Sequence, residues 1–191
     1  MNQQVSSARN SGVNREISYG CLRSLLTNVA TKLLHLGRSA ARGITRIRPF
    51  YAAIHLLARR GLLPRAVWAR LPVHHQFRVS VDDTRSFLYD STAGDLLGRS
   101  FFWGGIRTWE YETTSIFFKL CTNAKLVLDI GANTGTFTLL ACIANDSARV
   151  LSFEPVPRNF SRLVHHVQLN GLDRRCETFN MAVSDFTGTA S

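Results

Sequence analysis

The chain reads as an α/β protein built on a parallel sheet, and three observations predict it. From Ala124 onward, short β-branched and apolar stretches alternate with helical ones in the order strand, turn, helix, strand, helix, strand. The first of these strands runs directly into a glycine-bearing turn, Asp129-Ile-Gly-Ala-Asn-Thr-Gly135. Two acids, Asp129 and Glu154, stand at the ends of successive strands. Alternating units of this length specify parallel strands joined by right-handed crossovers.

Taken from the N-terminus, residues 1–18 are Ser/Asn/Gln-rich and poor in large apolar groups, which predicts disorder. Two helical stretches follow. Leu22, Leu25, Leu26, Val29, Leu33 and Leu34 recur at helical spacing, and Ile54, Leu56, Leu57 and Leu62 do so until Pro64 stops the pattern. Gln76 to Val81 alternates as a strand does, Asp82 to Arg85 can turn, and Ser86 to Tyr89 alternates again, so a β-hairpin is expected. Phe101-Phe-Trp-Gly-Gly105 gives an aromatic stretch with a flexible break, and Trp109 to Leu120 reads as a helix with Ile116, Phe117 and Leu120 on one face. Lys125 to Asp129 is the first strand of the parallel unit. A helix of about ten residues follows the glycine turn, with Phe137, Leu140 and Ala144 inward. Arg149 to Phe153 is the second strand, Pro157 to Leu169 the second helix, and Cys176 to Val183 the third strand.

The net charge of +10 suggests a polyanion partner until it is located along the chain. Residues 1–75 hold 12 of the 23 Lys and Arg and a single acid, Glu16, giving +11, whereas residues 76–191 hold 11 basic and 12 acidic groups, giving −1. The division is therefore a basic, partly helical extension over 1–75 and an α/β domain over 76–191. The extension carries no specific nucleic-acid signature; weak attachment to an anionic membrane surface, or a solvated extension, is the expectation, and its Arg/Ser-rich, acid-poor start also has the composition of an organelle presequence. No uninterrupted apolar run is long enough to span a bilayer. Four cysteines at 21, 121, 142 and 176 form no CxxC pair, and no His stands at metal-ligand spacing, so no metal site is expected and reduced thiols in a cytoplasmic setting fit best.

In a doubly wound sheet the ligand lies beyond the carboxyl ends of the strands, where Asp129, the turn 131–135 and Glu154 fall. Gly131 and Gly135 are expected to let the backbone turn sharply and approach a ligand, with a side chain at either position filling that space. Glu154 follows Gly131 by 23 residues, close to the roughly 20-residue interval at which an acid reaches ribose hydroxyls. NAD(P) and S-adenosylmethionine are the two nucleotide cofactors to weigh. The dinucleotide fingerprint requires Gly where Asn133 stands and a small residue at Thr136, so it is not met. Asp129 is badly placed beside an anionic pyrophosphate and well placed beside ammonium and sulfonium charges. Against this stand the bland readings: a glycine pair is common in α/β turns, Asp129 can be an N-terminal helix residue and Glu154 a solvated strand end.

The segment Val127-Leu-Asp-Ile-Gly-Ala-Asn-Thr-Gly-Thr-Phe-Thr138, with Ser152-Phe-Glu-Pro-Val-Pro-Arg-Asn159, Leu169-Asn-Gly-Leu172, Ala182-Val-Ser-Asp185 and Gly188, resembles the successive blocks of the FkbM-type methyltransferase family. Trp109-Glu-Tyr-Glu112 looks like the family's lead-in helix, so the resemblance covers about residues 76–191. It implies a Rossmann-like class I methyltransferase fold of seven strands, and methyl transfer from S-adenosylmethionine to a hydroxyl oxygen on a sugar, polyketide or other metabolite. By motif match it places Asp129, Gly131, Asn133 and Gly135 at the methionine part and Glu154 at the ribose; by position Ala182, Val183 and Ser184 flank the adenine. Glu110 or Glu112 would approach from the lead-in helix or lie on a solvated face.

The family often has Asn where His166 stands, and His165 and His166 read as surface or packing residues rather than catalytic ones. The chain stops at Ser191 after the third strand, so the expectation is a C-terminally truncated domain lacking the acceptor-binding strands, with no catalytic base to name. The rival readings are a non-catalytic fragment or interaction module, and, more weakly, an NAD(P)-binding oxidoreductase.

Overall fold

The computed structural model describes residues 48–62, 68, 71–185 and 188. The predicted disorder over 1–18 and the predicted helix through Leu22 to Leu34 lie outside the described residues. The chain divides into two units between Pro72 and Val73.

In the first unit, α1 (Arg48–Arg59) corresponds to the second predicted helical stretch. It closes at Gly61 rather than at Pro64. Gly61 has φ +69° and donates to the Ala58 carbonyl at 3.0 Å, while Leu62 donates to Leu57 at 2.9 Å, the paired bonds that cap helices ending in a left-handed glycine.

The second unit opens with the expected hairpin, β1 (Gln76–Ser80) and β2 (Ser86–Asp90), antiparallel with Val79 opposite Phe87. Asp82 builds its turn: Oδ1 accepts the backbone N–H of Thr84 at 3.0 Å and of Arg85 at 2.7 Å. The alternation buries Phe87 and Tyr89.

The aromatic stretch is helical rather than a flexible break. In α2 (Leu96–Gly104), Asp95 caps the start by accepting from Gly98 N at 2.8 Å, and Phe101, Phe102 and Trp103 are buried. Gly105 then ends the helix at φ +77° and donates to the Phe101 carbonyl. A 3₁₀ turn (Ile106–Thr108) leads to α3 (Tyr111–Cys121). Here the predicted face is corrected. Thr114, Phe118 and Cys121 are buried, while Ile116 and Leu120 are exposed, because α3 turns to α4 and the hairpin the side from which Phe118 receives the Arg85 guanidinium at 4.4 Å.

The parallel unit follows in the predicted order: β3 (Leu126–Ile130), α4 (Thr136–Ala144), β4 (Arg149–Phe153), α5 (Pro157–Leu169) and β5 (Cys176–Phe179). Pro157 opens α5 at a position where its missing N–H has no helical partner to lose. The sheet runs β3-β4-β5, all parallel, with Asp129 opposite Ser152 and Ser152 opposite Thr178. Three parallel strands in sequential order, joined by helices, make a Rossmann-like arrangement. The third strand ends at Phe179, four residues short of Val183. Val127, Val150, Leu139, Leu140, Leu163 and Val167 form the core between one sheet face and the helices. Hairpin and α5 join through Asn170, whose side chain accepts from Leu88 N at 2.7 Å and donates to Leu88 O at 2.9 Å, as a strand partner would.

Candidate functional site

The glycine turn is held at both ends by the backbone of its own sheet. Gly131 N and Ala132 N both donate to Phe153 O at 2.9 Å, so the turn starts from the end of β4 as well as of β3. Gly131 has φ +82°, and a Cβ built there would meet nothing within 4 Å, which leaves open space above it. Gly135 differs from the expectation. It has φ +94°, but a Cβ there would come within 2.8 Å of Leu163 Cδ1, so its missing side chain serves close packing of the turn on α5 rather than approach of a ligand. Asn133 takes the left-handed φ of +52° without being glycine, a conformation Asn tolerates better than most residues.

Asn133 takes that conformation where it meets Glu154. Its backbone N–H donates to Glu154 Oε2 at 2.8 Å, and Val156 N–H donates to Glu154 Oε1 at 2.9 Å, so one carboxylate ties the glycine turn to the β4–α5 turn. Asn180 Nδ2 donates to the Glu154 carbonyl at 2.8 Å and secures the segment after β5 to the same place. Each Glu154 oxygen retains a further lone pair. Val183 lies beyond Asn180 and is half exposed.

Asp129, 9% exposed, turns to the helix-covered side of β3, where Oδ2 accepts from Thr138 Oγ1 at 2.6 Å; Thr138 Oγ1 in turn lies 2.8 Å from Ser152 Oγ. Burial pushes the Asp129 carboxyl above the usual carboxylate range, the bonds from Thr138 oppose this, and the charge of Glu154 adds to the rise. The structure thus brings Asp129, Asn133 and Glu154 together around one turn. It also adds a group unforeseen from sequence: Thr136 Oγ1, at the first turn of α4, is the one buried side-chain polar atom without a hydrogen-bond partner among the described residues.

Other residues missed by sequence reasoning frame the turn. Thr138 and Ser152 anchor Asp129. Tyr89 reaches the turn from the hairpin, its hydroxyl 3.3 Å from Thr134 Oγ1 and donating to Asp95 Oδ2 at 3.1 Å, and burial raises its pKa to about 12. Of the two histidines read as surface or packing residues, His166 is fully buried, with Nδ1 2.7 Å from Thr134 O, and the half-exposed His165 pairs with Asp90 at 2.9 Å. From the lead-in helix, Trp109 packs on Phe137 of α4 with ring centroids 5.6 Å apart, and Glu110 beside it takes φ +41°. Cys121, Cys142 and Cys176 are buried and unbridged. Among the described residues no helix is long and apolar enough to cross a membrane.

No protein-family model matches the chain, and no curated protein matches it. Solved structures do. P. horikoshii TYW2 in complex with MeSAdo is similar at 22% identity and a TM-score of 0.42, over 61% of this chain and 39% of that one. A SAM-dependent methyltransferase from Agrobacterium tumefaciens is similar at 16% identity and a TM-score of 0.41, over 58% of this chain and 34% of that one. An RNA methyltransferase from Salinibacter ruber in complex with S-adenosyl-L-homocysteine is similar at 15% identity and a TM-score of 0.34, over 37% and 47% of the two chains. The likeness is one of fold, and this chain spans 39% and 34% of the length of the first two.

Proposed function

We propose that the β3–α4 turn and the ends of β3 and β4 hold S-adenosylmethionine, and that the chain supplies the cofactor-holding part of a methyltransferase acting on a hydroxyl oxygen. One observation carries this reading. Two buried carboxylates, Asp129 in β3 and Glu154 just after β4, stand at the ends of neighbouring parallel strands, and among the described residues neither forms an ion pair with a cationic side chain. Such a site favours a ligand that brings positive charge and disfavours a pyrophosphate.

The residues present fit that cofactor. Asp129 would face its ammonium and sulfonium charges, Gly131 leaves its space open, Asn133 shapes the turn, Gly135 seats it on α5, and Glu154 would accept from the ribose hydroxyls. Val183 and its neighbours are assigned to the adenine by position in the resemblance to FkbM-type enzymes. The Thr136 hydroxyl, buried without a partner in the first turn of α4, is not exposed toward the open space above Gly131 and is given no part in holding the cofactor. When bound, the cofactor supplies a methyl group on a sulfonium sulfur. What this chain does is bind and orient it, the main source of rate in an in-line displacement. The acceptor class, a hydroxyl of a sugar, polyketide or other metabolite, comes from the FkbM resemblance alone, and no base is assigned. Glu110 or Glu112 would approach the cofactor from the segment that opens α3, or lie on a solvated face.

Calorimetric titration with S-adenosylhomocysteine, S-adenosylmethionine and NAD tests the reading. Binding of the first two with no heat from NAD is expected. Tight NAD binding without response to S-adenosylhomocysteine overturns it in favour of an oxidoreductase, and silence toward all three favours an interaction module.

A further inference from the structure

His166 sits on the face of α5 turned to both the hairpin and the glycine turn, and none of it reaches solvent. Its two nitrogens are engaged in different elements. Nδ1 lies 2.7 Å from the carbonyl oxygen of Thr134. A carbonyl only accepts, so Nδ1 carries the proton. Nε2 is then the nitrogen with the free lone pair, and it accepts the backbone N–H of Asp90, at the end of β2, at 3.2 Å. The ring stacks on Tyr89 with centroids 4.3 Å apart, and the Tyr89 hydroxyl returns to Thr134 through Oγ1 at 3.3 Å. Turn, hairpin and α5 are thus closed into one circuit through the imidazole and the Tyr89 phenol.

We propose that His166 is a positioning residue for the glycine turn, a clasp that in its neutral Nδ1–H form holds Thr134 against the hairpin and lets go on protonation. The turn needs such support. Asn133 and Gly135 both take positive φ, and a non-glycine residue there is strained unless its surroundings hold it. Asn133 also presents to Glu154 the N–H that orients its carboxylate. The clasp acts through the turn and touches no ligand.

Protonation would place a hydrogen on Nε2, which must then abandon the Asp90 N–H and turn to the Asp90 carbonyl, also 3.2 Å away. That reverses the polarity of the contact with the hairpin. The groups facing the ring are Tyr89 and Asp90 of β2, Thr134 of the turn, and Arg162 and His165 of its own helix; Asp95, before α2, meets Tyr89 and Arg162 but not the ring. Burial pushes His166 below the ordinary histidine range, the carbonyls of Thr134 and Asp90 oppose this, and the charges of Arg162 and His165 add to the depression. A depressed folded-state pKa contributes stability that is present above the unfolded value, near 6.5, and is lost as pH falls through the folded value. The turn is therefore ordered at neutral pH and loosens on acidification.

Only the ligand arm of the test rests on the function proposed above. In the full chain, the His166 ring and the amide exchange of Asn133, Thr134 and Gly135 are followed by NMR against pH, alongside S-adenosylhomocysteine affinity. Turn exchange, corrected for the intrinsic pH dependence of amide exchange, should quicken with the same midpoint as the ring titrates, and affinity should fall on the order of tenfold, the equivalent of one or two hydrogen bonds. His166→Phe keeps the stack on Tyr89 and loses both bonds; its turn should exchange faster at neutral pH, with the pH dependence shared with the ring abolished and only that of Asp129 left. Turn exchange that stays flat while the wild-type ring titrates, or that is unchanged in a folded His166→Phe variant, overturns the clasp; the wild-type titration decides if the variant does not fold. If the turn follows the ring while S-adenosylhomocysteine binds at no pH, the clasp stands and the cofactor reading fails.

Discussion

Asp129 gives up water for donors from Thr138 alone and feels the charge of a second acid, which makes its charge costly in the protein without ligand. Its folded pKa is raised, so its favourable contribution to stability is complete below the unfolded value near 3.8 and disappears as pH rises through the folded value. Asp129→Asn removes that cost and keeps an oxygen for Thr138. The expected outcome is a higher melting temperature near pH 7 together with loss of S-adenosylhomocysteine affinity, checked by calorimetry on both counts; an unchanged melt with intact affinity would show that the carboxylate neither pays for its burial nor meets the ligand. Glu154→Ala should behave otherwise, because it orphans the N–H groups of Asn133 and Val156. About 1–3 kcal/mol of stability should be lost along with roughly tenfold or more in affinity, and a folded variant with wild-type affinity would place the ribose elsewhere. Both acids were legible in the sequence, since their places at strand ends and their separation are local facts. Thr138, Ser152 and His166 were not, because what makes them matter is a partner 9, 14 or 76 residues away.

The two glycines of the turn look alike in sequence and are set apart by what packs on them. Gly135→Ala would drive a methyl group to 2.8 Å from Leu163 Cδ1 at a φ that L side chains avoid, so the turn would lift from α5. Gly131→Ala meets the same kind of strain but empty space. Denaturant unfolding should therefore show a loss of about 1 kcal/mol for Gly131→Ala and of more than about 2 kcal/mol for Gly135→Ala. Leu163→Ala in the Gly135→Ala background should restore less than the full loss, since it opens a cavity of its own. Equal losses from the two glycine variants would contradict the packing role of Gly135. Element identity was legible where a local signal fixed it, as Pro157 does at the start of α5 and Asp82 in the hairpin turn. The helix over Leu96–Gly104 was not foreseen, although Asp95 carries its N-cap, because the two glycines at its end drew the reading toward a break. The buried face of α3 was misread because Ile116 and Leu120 are the stronger apolar residues, while the surrounding elements cover Thr114 and Phe118.

At the scale of the whole parallel unit, the sequence of β3 is apolar on both sides of the strand, as in sheets covered by helices on both faces. Only one side is covered among the described residues. Val127 and Asp129 face the helices, while Leu126, Leu128 and Ile130 are each more than half exposed, and among the described residues β3 stands at an edge of the sheet, with one row of its backbone groups facing no strand. The apolar composition that made the strand recognisable could not reveal this, because it reports what a residue prefers and not whether anything arrives to cover it. An apolar face next to an open strand edge is a site for association, and natural sheets blunt such edges with charge. The double substitution Leu126→Lys and Leu128→Lys supplies that charge on the uncovered side, and the two-residue period keeps it away from the face that carries Asp129. The variant should bind less of an apolar dye such as anilinonaphthalene sulfonate and sediment as a smaller species at high concentration, with unchanged circular dichroism and S-adenosylhomocysteine affinity. If dye binding and sedimentation match those of the parent chain, the uncovered face of β3 takes no part in association; if affinity falls instead, the two sides of the strand are coupled through the backbone of the turn that follows Ile130.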